Sequence, residues 1–145
     1  MTYSLRKVRT YVDDTKGDLS SNTSVVRAFM MGYDDREFDE LAELMTSSTH
    51  FASFWGTARG VDASLVMVMH ENSSLRITWS GPFLPVTANV FERTGYVQFL
   101  DTTRLPIIGT VMQKMKQQKI RESVVIEDGK IVFRELGLNW HMQVA

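Results

Sequence analysis

The chain has 145 residues, a length that suits one domain able to bury a core without disulfide staples. Apolar residues make up 43% and charged residues 23% of the sequence, as is typical of a soluble globular protein. The formal net charge of -1 argues against a nucleic-acid-binding protein, because such proteins usually carry a basic excess. The sequence contains no cysteine, which excludes both a disulfide framework and a thiolate metal site.

The N-terminal segment is predicted to be an arm of residues 1–20, followed by a single domain over residues 21–145. Gly17 and the polar run Ser20-Ser21-Asn22 should interrupt any element that begins earlier. No stretch has the continuous apolar character of a signal peptide or of a membrane-spanning helix. We therefore expect a cytoplasmic protein with neither a membrane nor a nucleic acid as its partner.

Two helices are predicted after the arm. Apolar side chains at helical spacing place the first helix from about Thr23 onward. Asp34 followed by Glu37 has the pattern of a capping box and predicts the start of a second helix. This helix should bury an apolar set and end at the polar run of residues 46–48; the set is Phe38, Leu41, Ala42, Leu44 and Met45.

The segment HFASFWG predicts a short aromatic strand over residues 49–55. Alternation along a strand would place Phe51, Ser53 and Trp55 on one face. Gly60 then precedes a third predicted helix, whose apolar stripe is Val61, Leu65, Val68 and Met69. The methionine-rich run LVMVMH in this helix is interpreted as core packing.

From Leu75 onward the pattern changes to the two-residue period of strands. Five strands are predicted, at residues 75–80, 86–92, 95–103, 118–127 and 130–138. A long connection over residues 105–117 separates the third and fourth of these strands. Such a connection is typical of a lid or a binding loop, although it would also fit a simple extension of the two strands.

The last two strands form a predicted hairpin around Glu127-Asp128-Gly129. A two-residue turn would place Glu122 opposite Glu135, a pairing of like charges. A three-residue turn would instead pair Glu122 with Arg134, an arrangement worth roughly 0.2–1 kcal/mol. The three-residue turn is therefore predicted. Both faces of this hairpin are partly apolar, and the pattern alone leaves open which face is inside.

The order of these elements resembles the nuclear-transport-factor-like superfamily, also called SnoaL-like, over about residues 23–138. The segments that carry the resemblance are DDREFDELAELMTSSTHFASFWG, ARGVDA and RESVVIEDGKIVFREL. The resemblance implies an α+β fold, in which a cone-shaped, strongly bent, mainly antiparallel sheet packs against three helices around a pocket. It also implies a homodimer through the outer sheet face, where Val125, Ile131 and Phe133 are predicted to lie.

The resemblance also implies a set of pocket residues. The position of the catalytic base of steroid isomerases holds Ser53 here, and their helix tyrosine falls near Phe29, which lacks a hydroxyl. Their acidic hydrogen-bond donor matches Glu122. The strand arginine and aspartate of related epoxide hydrolases fall near Asp101 and Thr103, and their last-strand aspartate falls near Leu136, so the hydrolase triad is broken.

The candidate site therefore has two groups of residues. The catalytic candidates are Glu122, Arg134 and Asp101, and the substrate-binding candidates are Ser53, Trp55, Thr103, Phe29, Tyr33 and Phe51. Burial would raise the proton affinity of Glu122, whereas a neighbouring Arg134 would hold it ionised and could steady a developing negative charge. A structural Glu122–Arg134 pair, without chemistry, would satisfy the same pattern.

The predicted function is that of a cofactor-free enzyme without a metal. It would act on a small, apolar polyketide- or terpenoid-like intermediate of secondary metabolism. The reaction would be an isomerisation, a cyclisation or a dehydration (a lyase reaction) by acid–base chemistry. The alternatives are a non-catalytic module that uses the same pocket for small-molecule binding or dimerisation, and a protein-interaction scaffold.

Overall fold

The computed structural model describes residues 18–100 and 117–138, and all structural statements refer to these ranges. They form three helices and seven strands. The helices are α1 (Leu19–Asp34), α2 (Phe38–Glu43) and α3 (Val61–Ser74). The strands are β1 (Met45–Ser53), β2 (Gly56–Arg59), β3 (Leu75–Trp79), β4 (Leu84–Pro85), β5 (Val90–Phe99), β6 (Gln118–Glu127) and β7 (Lys130–Leu138). Within the described residues, no helix combines the length and the apolar character that crossing a membrane requires.

Helix α1 begins at Leu19 rather than near Thr23. The Asp18 carboxylate caps it by accepting hydrogen bonds from the backbone N–H groups of Ser20 at 3.0 Å and Ser21 at 3.4 Å. The polar run predicted to break the chain is therefore the first turn of the helix, since short polar residues are favourable at a capped start. The rest of the predicted arm, residues 1–17, lies outside the described residues.

Helix α2 is shorter than predicted. Its N-cap residue Glu37 makes no capping hydrogen bond with its side chain, so the predicted capping box is wrong. The helix ends at Glu43, and the polar run of residues 46–48 belongs to β1. The Thr49 hydroxyl accepts from the Thr46 N–H at 2.8 Å and donates to the Ile131 carbonyl at 2.5 Å. This side chain secures the polar start of β1 to β7.

The seven strands form one curled, unclosed sheet in the order β2-β1-β7-β6-β5-β3, with β4 paired to β5. All pairs are antiparallel except β1 with β7, which are parallel. The predicted α+β class, with a mainly antiparallel bent sheet against three helices, is confirmed. The short strand β2 was not predicted.

Strand β5 is continuous from Val90 to Phe99, where two separate strands were predicted. Gly95, the predicted start of the second strand, lies inside β5 and is paired with Trp79 of β3. A Cβ at this position would lie 2.5 Å from the Thr78 carbonyl oxygen, so only glycine lets β3 approach this closely.

The β6–β7 hairpin has a two-residue turn, so the predicted three-residue turn is wrong. Asp128 and Gly129 both have positive φ, of 51° and 73°, as a turn of the I′ kind requires. A bulge at Val132 then shifts the register, so that Glu122 faces Leu136 and Arg134 faces Val124. The bulge removes the like-charge pairing that had argued against this turn.

The bulge also changes which side chains of β7 face the helices. Ile131 packs in the core between helices and sheet, so its predicted outward position is wrong. Val125 and Phe133 do lie on the other face, together with Val90. Both side chains are 0% exposed in the single chain. They therefore form no free apolar patch.

Helix α3 packs Val61, Leu65 and Val68 against the core as predicted, whereas the predicted core position of Met69 is wrong. Met69 is 42% exposed, whereas the positions facing the core include a carboxylate; the buried set is Ser64, Met67, Val68, Glu71 and Ser74. The spacing of this set is that of one helix face. A fully buried Glu71 needs partners inside the protein, and these partners define the candidate site.

Candidate functional site

A chain of hydrogen-bonded polar side chains, here called the buried ion chain, crosses the concave side of the sheet. The Tyr33 hydroxyl donates to Glu71 Oε1 at 2.8 Å, and Arg134 Nη1 donates to Glu71 Oε2 at 2.6 Å. Arg134 Nε donates to Glu122 Oε2 at 2.7 Å, and Arg93 Nε donates to Glu122 Oε1 at 2.6 Å. Two carboxylates thus balance two guanidiniums, as buried charges require.

Each member of the buried ion chain comes from a different helix or strand, and the fold brings them together. Arg93 lies directly opposite Glu122 in the β5–β6 ladder. Arg134 is the diagonal neighbour of Glu122 across the β6–β7 ladder. Glu71 reaches them from the buried face of α3, and Tyr33 from the end of α1. The predicted contact between Glu122 and Arg134 therefore exists, within a larger network.

Aromatic rings surround the Arg134 guanidinium. Its central carbon lies 5.4–5.8 Å from the ring centroids of Phe29, Tyr33 and Phe51. Guanidinium groups bind favourably to aromatic faces at such distances. Phe29 and Phe51, predicted to contact a substrate, are 0% exposed and pack here against the arginine.

Burial and the neighbouring charges shift the pKa values of three members of the buried ion chain. Burial alone would raise the pKa of Glu122, but the guanidiniums of Arg93 and Arg134 together hold it below its ordinary value. Burial and then the Glu71 carboxylate raise the pKa of Tyr33 well above its usual value. Burial would lower the pKa of Arg134, but Glu71 and Glu122 raise it. The two carboxylate oxygens of Glu122 are occupied, and its environment favours the ionised form.

One end of the buried ion chain reaches an open cleft of about 290 Å³ between the helices and β3, here called the helix cleft. Tyr33 and Glu71 line it, whereas neither Glu122 nor Arg134 does. Its other lining residues combine polar groups near the helix ends with an apolar wall from β3; they are Asp34, Arg36, Asn72, Leu75, Ile77 and Trp79. The cleft thus suits a molecule with one polar edge and one apolar face.

Two charged residues of opposite sign, Asp34 and Arg36, flank the helix cleft where α1 ends. Burial raises the pKa of the Asp34 carboxyl from its ordinary value. Arg36 has a positive φ of 58°, an uncommon conformation for a residue with a side chain. The Glu37 N–H donates to the Gly32 carbonyl at 2.9 Å, a bond typical of a helix that ends with a residue in this left-handed conformation. A carboxyl with raised proton affinity and a guanidinium therefore lie at one cleft.

The other predicted site residues fall in two groups. Ser53 ends β1, and Trp55 lies in the turn after it; Ser53 Oγ and Trp55 Nε1 are buried and make no hydrogen bond within the described structure. Trp55 belongs to a second core cluster, which also contains Ile77 and Trp79 of the cleft wall. Asp101 and Thr103 lie outside the described residues.

Sequence reasoning missed Glu71, Arg93 and Asp34. Glu71 could have been found from its spacing, because it lies at a position of the buried face of α3. Arg93 lies on the same face of β5 as the buried Phe91 and Val97. The prediction of two separate strands in place of β5 concealed this alternation. Asp34 was missed because its spacing from Glu37 predicts a helix cap. Among the described residues, no group of three or more His, Cys, Asp or Glu side chains could hold a metal ion.

Comparisons with known proteins agree with the fold. A family model described as the NTF2-like domain matches residues 6–142. No curated protein matches the chain significantly. The chain is similar to the solved structure of an NTF2-like protein from Burkholderia xenovorans LB400, with 12% identity and a TM-score of 0.62, over 83% of this chain and 90% of that chain.

Two further solved structures show similarity of the same degree. TerC co-crystallised with polyporic acid has 15% identity and a TM-score of 0.59, over 83% of this chain and 93% of that chain. An LEH-like epoxide hydrolase from M. tuberculosis has 9% identity and a TM-score of 0.58, over 84% of this chain and 85% of that chain. At these identities the likeness concerns the fold.

Proposed function

The chain belongs to the NTF2-like family, and on that premise we propose that it binds a small, partly apolar organic molecule in the helix cleft and transfers a proton there. The reaction would be a cofactor-free isomerisation, cyclisation or dehydration. Relatives in fold include an epoxide hydrolase and a protein crystallised with polyporic acid, which supports a role with small molecules at the level of the family.

The observation that carries the proposal is the composition of the helix cleft. Asp34, Arg36 and the Tyr33–Glu71 pair line one open cavity, opposite the apolar side chains of β3. Glu122 and Arg134, by contrast, do not line this cavity, and they are bonded to other members of the ion chain. The proposed reactive groups are therefore those at the mouth of the cleft.

Each cleft residue has a proposed role. The Asp34 carboxylate takes a proton from a carbon next to a carbonyl group, and its raised pKa makes it a stronger base than an aspartate of ordinary pKa. The Arg36 guanidinium steadies the negative charge that develops on the carbonyl oxygen. Asp34 then returns the proton to another carbon or to a leaving hydroxyl. Tyr33, held by Glu71, forms the polar floor on which the ligand is oriented.

The proposal is tested by deuterium exchange. Purified protein is incubated in D₂O with a panel of unsaturated cyclic ketones, of which cyclohex-3-enone is the smallest, and proton NMR follows loss of the signal next to the carbonyl. We expect Asp34→Asn to abolish the exchange that the wild type catalyses. The rate of the wild type should rise with pH through an apparent pKa above 3.8, because Asp34 must be deprotonated to act.

The adjacent Asp35 provides a matched control. It is exposed and carries the same charge, but it does not line the helix cleft. Asp35→Asn should therefore exchange at the wild-type rate. Equal rates for wild type and Asp34→Asn, or no exchange of any ketone by the wild type, would contradict the proposal.

A non-catalytic binding module is the second candidate, and the pairing of both Glu122 oxygens with Arg93 and Arg134 inside the core favours it. A buried carboxylate whose charge is balanced by arginines inside the protein needs no substrate to explain it. In that case a ketone of the panel would bind to wild type and Asp34→Asn with equal affinity, and neither protein would exchange deuterium.

A further inference from the structure

The helix cleft has one large aromatic side chain in its strand wall, that of Trp79, the last residue of β3. Trp79 and its wall neighbours Ile77 and Leu75 alternate along β3, so all three lie on one face of this strand. Leu75 is buried, whereas Ile77 and Trp79 are half-buried and keep surface that a ligand can cover. Of the three side chains, the indole offers the largest flat apolar surface.

The indole ring of Trp79 is fixed from one side. The guanidinium carbon of Arg93 lies 3.6 Å from the ring centroid, so Arg93 covers one face of the indole. Arg93 is held in turn by a hydrogen bond of 2.6 Å to Glu122 and by the Phe83 ring, whose centroid lies at 4.3 Å. Because Arg93 is only 4% exposed and stays on its face of the ring, a ligand in the cleft can reach only the remaining surface of the indole.

The helix cleft has room for two fused rings. Its volume is about 290 Å³, and a cavity of about 150 Å³ is enough to hold one benzene molecule. Polar groups line its helical side, at Tyr33, Asp34 and Arg36. A ligand that rests one ring on the indole can therefore turn a carbonyl group toward these residues.

We propose that Trp79 determines which ring system the helix cleft accepts, namely a cyclic ketone fused to an aromatic ring that stacks on the indole. This inference rests on the proposed binding of a ligand in the helix cleft. A flat ring can make the offset-stacked contact that aromatic pairs favour, whereas a saturated ring of the same skeleton is thicker and cannot. Because Arg93 already fixes the indole, little side-chain entropy is lost on stacking. The preferred ligand is therefore flat and polyketide-like rather than saturated and terpenoid-like.

The inference is tested with two ketones that share one carbon skeleton, at pH 7. In 2-tetralone one ring is aromatic and flat, whereas in 2-decalone both rings are saturated. Isothermal titration calorimetry should show that the wild type binds 2-tetralone about fivefold more tightly than 2-decalone, the worth of one aromatic contact. In proton NMR, the aromatic signals of bound 2-tetralone should shift upfield, because these protons lie over the indole ring.

Variants of Trp79 assign this preference to the indole. Trp79→Leu keeps an apolar side chain without a flat ring, and we expect it to bind the two ketones with equal affinity. Trp79→Phe keeps a ring and should retain part of the preference and of the upfield shift. Tyr96→Leu is the control, because Tyr96 is paired with Thr78 and so lies on the opposite face of the sheet from Trp79. It should keep the wild-type preference.

The comparison of two ketones on one protein cancels a general loss of stability, and melting temperatures show whether each variant is folded. Equal affinities of the wild type for the two ketones, no saturable binding of 2-tetralone, or a preference that Trp79→Leu retains in full would overturn the inference. The ratio of affinities and the upfield shift are measured on the wild type, so they remain decisive if Trp79→Leu does not fold.

Asp34→Asn separates this inference from the proposed reaction. It should lose deuterium exchange but keep the preference for 2-tetralone, because stacking on Trp79 does not need the carboxylate. A wild type that exchanges deuterium and binds both ketones equally would overturn the role of Trp79 alone. A preference for 2-tetralone without any exchange would support the role of Trp79 and contradict only the proposed proton transfer.

Discussion

Glu122 combines full burial with two arginine partners, and this environment determines its protonation state. Because both of its oxygens accept charged hydrogen bonds, the ionised form is strongly favoured. A carboxylate held ionised in this way is a poor proton donor. At the scale of single residues, Glu122 therefore acts as the counterion that lets two guanidiniums remain inside the sheet.

The first prediction concerns Glu122→Gln. The substitution leaves Arg93 and Arg134 with a single carboxylate, that of Glu71, and breaking a buried pair typically costs about 3–5 kcal/mol. We expect urea unfolding at pH 7 to show a loss of this size. Glu40→Gln, at an exposed position of α2, should change the free energy of unfolding by less than about 0.5 kcal/mol.

The same substitution has a pH signature. The pKa of Glu122 is lowered in the folded state, so its contribution to stability is present above the ordinary value of 4.5 and is lost as the pH falls through the folded value. The difference in unfolding free energy between wild type and Glu122→Gln should therefore shrink below pH 4.5. A difference that stays constant from pH 7 to pH 3, or a variant as stable as the wild type, would contradict the counterion role.

At the scale of elements, the close contact between β3 and β5 positions the aromatic partner of Arg93. Gly95 permits this contact, because a Cβ there would lie 2.5 Å from the Thr78 carbonyl oxygen and 2.9 Å from the Trp79 ring. Trp79 stacks on Arg93 and also lines the helix cleft. A change at Gly95 should therefore affect both stability and the cleft.

We expect Gly95→Ala to destabilise the protein by about 1–3 kcal/mol, because the backbone of β3 must move away. Gly81→Ala is the matched control, since a Cβ at Gly81 would meet nothing within 4 Å. Urea unfolding measures both losses, and tryptophan fluorescence should change only for Gly95→Ala. Equal effects of the two substitutions would show that the strand contact is looser than described.

The sequence was informative where its pattern is local. The strand period predicted the β6 and β7 bounds, charge placed Glu122 near Arg134, and the family resemblance implied the mainly antiparallel class. The bulge at Val132 was not predictable, because an extra residue leaves no trace in a two-residue alternation. Glu71 and Arg93 were missed for a related reason: their burial depends on partners far away in the chain, which no local pattern contains.

At the scale of the whole molecule, the outer sheet face raises the question of association. A homodimer through this face is the prediction from family resemblance, and it stays a prediction. Val125 and Phe133 have no exposed surface left to bury against a second subunit. These side chains therefore contribute to the stability of the single chain, whatever its oligomeric state.

We expect Phe133→Ala to lower the free energy of unfolding by about 3–5 kcal/mol, the usual cost of removing a buried phenylalanine. Its sedimentation coefficient should equal that of the wild type at the same concentration. Tyr96→Ala is the control, because Tyr96 belongs to the same sheet but is 39% exposed; it should leave stability nearly unchanged. A folded Phe133→Ala protein that sediments as a smaller species would place this residue in a subunit interface instead.

The central claim is that a ligand enters the helix cleft while the Glu122–Arg134 contact stays intact. It is tested most directly by a crystal structure of the protein with the ketone that exchanges deuterium fastest. We expect the ketone against Tyr33 and Trp79, with its carbonyl group toward Arg36 and the adjacent carbon toward Asp34. Arg93 and Arg134 should remain bonded to Glu122. A ketone bound in contact with Glu122, with either arginine displaced, would contradict the claim.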